Sequence, residues 1–255
     1  MPAAMNLMAL PDLPLVKPGD DLPALLLQSI NRMPVVLENG DILVLAQKIV
    51  SKAEGRLVNL DEVEPGEQAL ALAEETEKDP RLLEVILGES TDVIRTRPGL
   101  IIVEHHLGFI CANAGVDHSN VEGPSSGDWV LMLPENPDAS AARIRKALED
   151  ARGIHIAVLI IDSHGRAWRN GTVGVAIGMS GFPAVLDLRG HPDLFGDILR
   201  ATVVGAADEV AAAASILMGQ ADEGRPAILI KGWPYKLGEG SLQDLLRPEE
   251  KDLFR

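Results

Sequence analysis

The apolar positions of this chain fall into short aliphatic runs whose period changes from one run to the next. Between Asp20 and Asp41, "LPALLLQSI" has helical spacing, and the turn "ENGD" then leads into "ILVLAQKIV". That second run predicts a strand delivering "SKAEGR" at its end. Pro65 with Glu67 marks a helix start, and Asp79 and Pro80 serve as cap and first position of "RLLEVIL", which Gly88 stops. "LIIVEHH" and "FICANAG" predict two strands joined through Leu107 and Gly108 as a hairpin, the second leading into Asp117. After the polar "EGPSSGD", Pro137 and Asp138 precede a helix with Ile144 and Leu148 on one face. "GIHIAVLII" is the next strand, and "GVAIGMSGFPAVLDLRG" reads as strands broken by Gly and Pro. "AADEVAAAASILMGQADEG" predicts an alanine-rich helix with Asp208 and Glu209 in its first turn and Gly219 as its stop, before a last strand in "RPAILIKGW". Strands and helices interleave without repeat, low-complexity tract or linker, so the class is α/β or α+β with the topology open.

Composition narrows the partners. At 255 residues and 46% hydrophobic, the chain can bury one large core or two smaller ones. A net charge of -15 repels nucleic acid and anionic membrane surfaces. The single cysteine, Cys111, can form no intrachain disulfide, and "MPAAMNLMALPDLP" lacks the basic start and apolar core of a secretory signal, so a cytoplasmic location is expected. No apolar run approaches the roughly 18 residues of a membrane helix.

The familiar phosphate, zinc and nucleophile motifs are missing, and the chemistry must come from polar clusters at the ends of strands and helices. In "NAGVDHSN", Gly115 permits a tight turn, and Asn113 and Asn120 can hold Asp117 in a defined direction, as a hard cation requires. An Asx-rich turn bonded only to its own backbone remains an equal alternative. "DSHGRAWRNG" places Asp162 and Ser163 after a buried strand with Arg166 and Arg169 nearby, a carboxylate, hydroxyl and guanidinium set suited to metal and phosphate, against the alternative of a solvated loop. Lys52 and Arg56 in "SKAEGR" can meet a phosphate or simply be solvated. "MGQADEGRP" reads, on residues alone, as helix termination followed by exposed acids. His105 and His106 point to opposite faces of a strand, Cys111 is a small core residue, and no role falls to His118 or His164.

Taken in order, "LPLVKPGDDL", "VSKAEGR", "RPGLIIVEHHLGFICANAGVDHSNV", "LMLPENPDASAARIR", "DSHGRAWRNGTVGVAIG", "LDLRG" and "ADEVAAAASILMGQADEG" closely resemble the coenzyme F-420-0:L-glutamate ligase family over nearly the whole chain. The resemblance is to the stand-alone form: residues 1–255 are expected to make a single gamma-glutamyl ligase module, with subdomains packed tightly if present and no C-terminal nitroreductase-like domain. It implies an α+β fold, mixed and antiparallel sheets with packed helices, and an intertwined homodimer.

The same resemblance implies a GTP-dependent ligase in coenzyme F-420 biosynthesis. Such an enzyme joins L-glutamate to the lactyl carboxylate of F-420-0 through an acyl phosphate and then adds a second, gamma-linked glutamate. Magnesium or manganese is implied as the divalent metal, with potassium as a further ion. Residue by residue, it implies that Asp117 and Asp162 are catalytic and bind one metal, while Ser163 and Gln220 belong to a second. Around GTP it places Leu13, Pro14, Leu15, Val16, Gln47, Lys52, Asn120, and the run Met218, Gly219, Gln220, Ala221, Asp222, Glu223, Gly224 and Arg225, which reverses the bland reading of that run. Arg166 and Arg169 stay candidates for phosphate or substrate carboxylate from charge and position alone. The rival activities are a related amide ligase with another carboxylate or amino acid, a metal-dependent phosphohydrolase, and a silent nucleotide-binding partner.

Overall fold

The computed structural model describes residues 4–252, so the first three residues of "MPAAMNLMALPDLP" lie outside the described residues. Strand β1 (Asn6–Ala9) is followed by α1 (Leu22–Ile30), which spans the predicted run and is capped by Asp21 accepting from Ala24 N at 3.1 Å. The run "ILVLAQKIV" divides into β2 (Ile42–Ala46) and α2 (Gln47–Ala53), correcting the single predicted strand. Gln47 with Ser51 and Lys48 with Lys52 are each spaced four apart, a helical period that the β-branched Ile49 and Val50 mask. "SKAEGR" is therefore the last turn and exit of a helix. Next come β3 (Leu57–Asn59), α3 (Glu67–Thr76), α4 (Pro80–Gly88), β4 (Ser90–Arg97), β5 (Leu100–His105), β6 (Ile110–Ala112) and β7 (Trp129–Leu131). The β5–β6 hairpin turns at the expected glycine, whereas β4 was not expected because "STDVIRTR" buries no residue fully.

The remaining elements are α5 (Pro137–Arg152), β8 (Ala157–Arg166), β9 (Arg169–Ser180), β10 (Leu186–Asp187), β11 (Val203–Val204), α6 (Ala206–Met218) and β12 (Ala227–Lys231). α5 includes Pro137 and Asp138, which were expected to precede it, and Asn136 caps it by accepting from Ala139 N at 3.0 Å. The stretch "DSHGRAWRNG", read as following a buried strand with a solvated loop as the alternative, is a hairpin. Pairing with β9 extends β8 to Arg166 and gives backbone partners to residues whose side chains are too polar for the core.

Five strands form the main sheet in the order β1-β12-β2-β8-β9, with β2 and β8 parallel and the other neighbours antiparallel. The continuous aliphatic runs of β2, β12 and the first half of β8 are those of strands covered on both faces. One face carries α1 and α5 through Leu26, Ile144 and Leu148, and the other carries α6 through Val210, Ala211 and Ala214. Burying a side chain such as Leu148 contributes about 2 kcal/mol. A third core, drawn from residues 58–132, packs α3 and α4 on the antiparallel sheet β4-β5-β6. The chain is thus α+β with mixed and antiparallel sheets.

That smaller lobe is tied to the main body by half-buried charge. Arg56 Nη2 donates to Glu89 Oε2 at 2.7 Å and Arg56 Nε to Leu133 O at 2.9 Å, while His105 Nε2 stands 3.7 Å from the same Glu89 oxygen. His105 is buried at the end of β5, whereas His106 lies not on the strand but in the turn that follows, exposed. Between β10 and β11 an arm runs through solvent with Leu194 and Phe195 91% and 89% exposed at its tip. Among the described residues no helix is long and apolar enough to cross a membrane.

Candidate active site

Helix α2 leaves the C-terminal end of β2 with Gln47, Lys48 and Lys52 along one wall of a cavity of about 1410 Å³. Asp117 reaches the same wall by a sharp turn after β6. Asn113 and Ala114 are both left-handed, with φ of 53° and 52°, and a Cβ on Gly115 would fall 2.6 Å from Leu133 Cδ1. Beyond this turn the Asp117 backbone exchanges two hydrogen bonds with Leu131, at 2.9 and 2.8 Å, which fixes the origin of the side chain. Asp117 is therefore not satisfied by its own turn: its carboxylate accepts from Gln47 Nε2 at 2.7 Å and lies 3.2 Å from Lys48 Nζ, both on Oδ2.

Asp162 lies opposite Val175 within the β8–β9 ladder, after an irregularity at Ile160 and Ile161, and not in a loop beyond the strand. Its Oδ2 is 3.1 Å from His164 Nε2, whose ring leans on Phe109 at a centroid separation of 5.3 Å. Ser163 lines the cavity beside it, and Gln220 donates from Nε2 to Ser215 Oγ at 3.1 Å. The third wall is the segment after α6, which turns at Gly219 with φ 77° and folds Glu223 back so closely that a Cβ at 219 would overlap its carboxyl. Glu223 accepts from Ala221 N at 2.9 Å, and backbone amides of this loop hold its carboxyl below the usual range. Asn120 Nδ2 donates to Ala221 O at 3.1 Å, linking the Asp117 loop to this segment across the cleft.

Every residue that the resemblance places at the metals or GTP lines this one cavity, from Leu13 to Val16 through Arg225. Arg166 and Arg169 do not. They face one another across the β8–β9 turn, exposed, with Arg166 Nη1 bonded to Gly171 O at 3.0 Å. Arg56 points instead into the buried cluster with Glu89. Lys48 is the residue the sequence reading missed; its four-residue spacing from Lys52 was the available signal.

The electrostatics leave this wall unbalanced. Burial pushes the Asp117 carboxyl above the ordinary carboxylate range, Lys48 works against that, and the charge of Asp162 adds to it. Burial and then repulsion by Lys48 lower Lys52, with Glu122 pulling the other way. Like charges thus stand next to like charges. Two carboxylates, with the neutral oxygens of Ser163 and Gln220, match the donors that hold a divalent ion when phosphate oxygens complete its shell. No cluster of three or more His, Cys, Asp or Glu side chains among the described residues offers a closed protein cage. The site fits a metal brought together with a polyphosphate.

Residues 12–232 match the family of the F420-0:Gamma-glutamyl ligase. The chain belongs to that family. It is 46% identical to the Coenzyme F420:L-glutamate ligase of Methanothermobacter thermautotrophicus, covering 98% of this chain and 99% of the relative. Identity to the proteins of the same name is 46% in Methanopyrus kandleri, over 94% of this chain and 93% of the relative, and 43% in Methanocaldococcus jannaschii, over 96% and 94%. Membership in this gamma-glutamyl ligase family extends over the whole cavity, since residues 12–232 include each of its walls.

Proposed function

We propose that the protein is a GTP-dependent, metal-dependent ligase that joins L-glutamate to the lactyl carboxylate of F-420-0 and then adds a second glutamate through the first one's γ-carboxylate. The observation that carries this is the single cavity in which paired aspartates and paired lysines converge. At about 1410 Å³ it exceeds the roughly 300–1,000 Å³ of a one-ligand pocket, so nucleotide and acceptor can occupy it together. The names of the family, with F420-0, and of the relatives, with coenzyme F420 and L-glutamate, support this choice of acceptor and amino acid.

A carboxylate does not acylate an amine directly, because oxide is too poor a leaving group. The γ-phosphoryl group of GTP therefore passes to the acceptor carboxylate oxygen, giving an acyl phosphate and GDP. The glutamate amine then attacks the acyl carbon, phosphate leaves with the C–O bond electrons, and the amine proton passes to a base. Lys48 and Lys52 lie along one wall as point charges for the nucleotide phosphates. Asp117 and Asp162, with Ser163 and Gln220, would hold divalent metal. When bound, it would neutralise charge on the transferring phosphoryl group. The segment Met218 to Arg225 and Leu13 to Val16 would enclose the nucleoside.

We further propose a homodimer. The exposed arm tip, Leu194 and Phe195, supports it, because such large apolar side chains at a loop end are the mark of a surface another chain covers. Leu194→Ser with Phe195→Ser should then shift the mass measured by light scattering to that of one chain; an unchanged dimer mass would remove the arm from the interface.

The activity is tested by incubating the chain with F-420-0, L-glutamate, GTP and Mn2+ and weighing the deazaflavin by mass spectrometry. GTP-dependent gain of glutamyl units is expected. GTP hydrolysis without mass gain would mean that the acceptor is wrong, and untouched GTP would overturn the phosphoryl chemistry.

A further inference from the structure

We propose that Gln47 and Ser51 are positioning residues that aim Asp117, and that the Gln47 side chain makes no contact with nucleotide. This rests on the metal role proposed for Asp117. Gln47 lines the cavity yet is only 1% exposed, and Ser51, which does not line it, is 0% exposed. Gln47 Nε2 donates to Asp117 Oδ2 at 2.7 Å, and Ser51 Oγ donates to Gln47 Oε1 at 2.8 Å. An ionised carboxylate only accepts, so it dictates which end of the amide faces it. The amide oxygen then points away and takes the serine hydroxyl.

Residues 47 and 51 are one turn apart on α2, so the helix itself sets the separation across which serine and glutamine meet. Both polar ends of the Gln47 side chain are consumed in this relay. The effect on Asp117 is directional. Gln47 and Lys48 both approach Oδ2, which leaves Oδ1 as the oxygen to face a cation in the cavity. A neutral donor suits that task better than a second lysine, since it orients the carboxylate without cancelling the charge the metal needs. Partners of this kind, hydrogen-bonded to a ligating carboxylate, typically change metal affinity by about 10- to 100-fold when removed.

The test measures Mn2+ binding to the full chain by the EPR signal of the free ion, and GTP binding by calorimetry in EDTA. Gln47→Met keeps the length and loses both hydrogen bonds; it should weaken Mn2+ binding by about tenfold or more and leave GTP binding in EDTA within about twofold. Ser51→Ala should move Mn2+ binding the same way by a few-fold, and it carries the test if Gln47→Met does not fold. Unchanged Mn2+ affinity in a folded Gln47→Met or Ser51→Ala, or lost GTP affinity at unchanged Mn2+ affinity, overturns the proposal. Asp117→Asn separates the two levels: if it binds Mn2+ like the wild type, the metal role of Asp117 falls and the relay with it. If it loses Mn2+ while Gln47→Met does not, the relay alone falls.

Discussion

Two clusters of shielded charge lie on either side of the same helix exit, and they are built in opposite ways. At Arg56 and Glu89 each charge has a partner of the other sign, with the His105 imidazole beside them. Burial alone would raise Glu89, but the neighbouring imidazole and guanidinium outweigh it and hold the carboxyl below its usual range. Along the cavity wall Asp117 is raised toward neutrality and Lys52 is lowered toward it, each partly by a neighbour of its own sign. In the first cluster Arg56 and Glu89 pair within the chain and fasten the small lobe. In the second, the Asp117–Lys48 pair stands beside Asp162 and Lys52, so each member keeps a neighbour of its own sign that a bound cation or anion would offset.

The contrast is broken most severely by the aspartates. Asp117→Asn or Asp162→Asn should lower turnover by at least about 100-fold, read as kcat/KM in the deazaflavin assay. Burial raises the folded-state pKa of Asp117, so as pH rises above the unfolded value the unfolded chain ionises first and the carboxylate costs stability. Asp117→Asn should accordingly not lower the metal-free melting temperature at pH 7. Arg56→Met should behave in the opposite sense, losing roughly 2 kcal/mol in a denaturant titration while Mn2+ affinity stays within about twofold.

A smaller effect is expected from the lysines. Lys48→Ala and Lys52→Ala should each weaken GTP binding by about tenfold, because each removes one positive charge from the wall; Lys48→Ala also takes away the ion partner of Asp117 and should lower the melting temperature. Unchanged GTP affinity would take that lysine out of the site. The smallest effect concerns Cys111, whose thiol is pushed up to about 12 by burial and by the charge of Asp162. Alkylation at pH 8 should occur only as fast as the protein opens; rapid labelling of the native chain would show the wall behind Asp162 to be loose.

The elements legible in the sequence were those with one clear period and clear punctuation. α1, α4 and α6 carry helical apolar spacing with Asp, Pro or Gly at their ends, and the β5–β6 hairpin turns at a glycine. The failures come where period or polarity misleads. Ile49 and Val50 disguised α2 as the continuation of β2, which hid Lys48 from the site. The polar residues of "DSHGRAWRNG" suggested a loop, although partner strands satisfy their backbone and carry Arg166 and Arg169 out of reach of the cavity. The aspartates were visible as strand-end residues. That they share one cavity depends on a turn of left-handed residues and on the pairing of β8 with β9, neither of which a local pattern specifies. Two apolar runs that each end on an aspartate point to a shared site, and the family resemblance implies the same pairing.

The most direct measurement is a titration of Mn2+ into the protein with and without GTP, followed by the EPR signal of the free ion. If the wall is completed by a metal and a polyphosphate together, GTP should tighten Mn2+ binding by at least about tenfold, Mn2+ should tighten GTP by the same factor, and Asp162→Asn should abolish the coupling. Mn2+ that remains free at excess protein and GTP, or that binds equally well to Asp162→Asn, would contradict it.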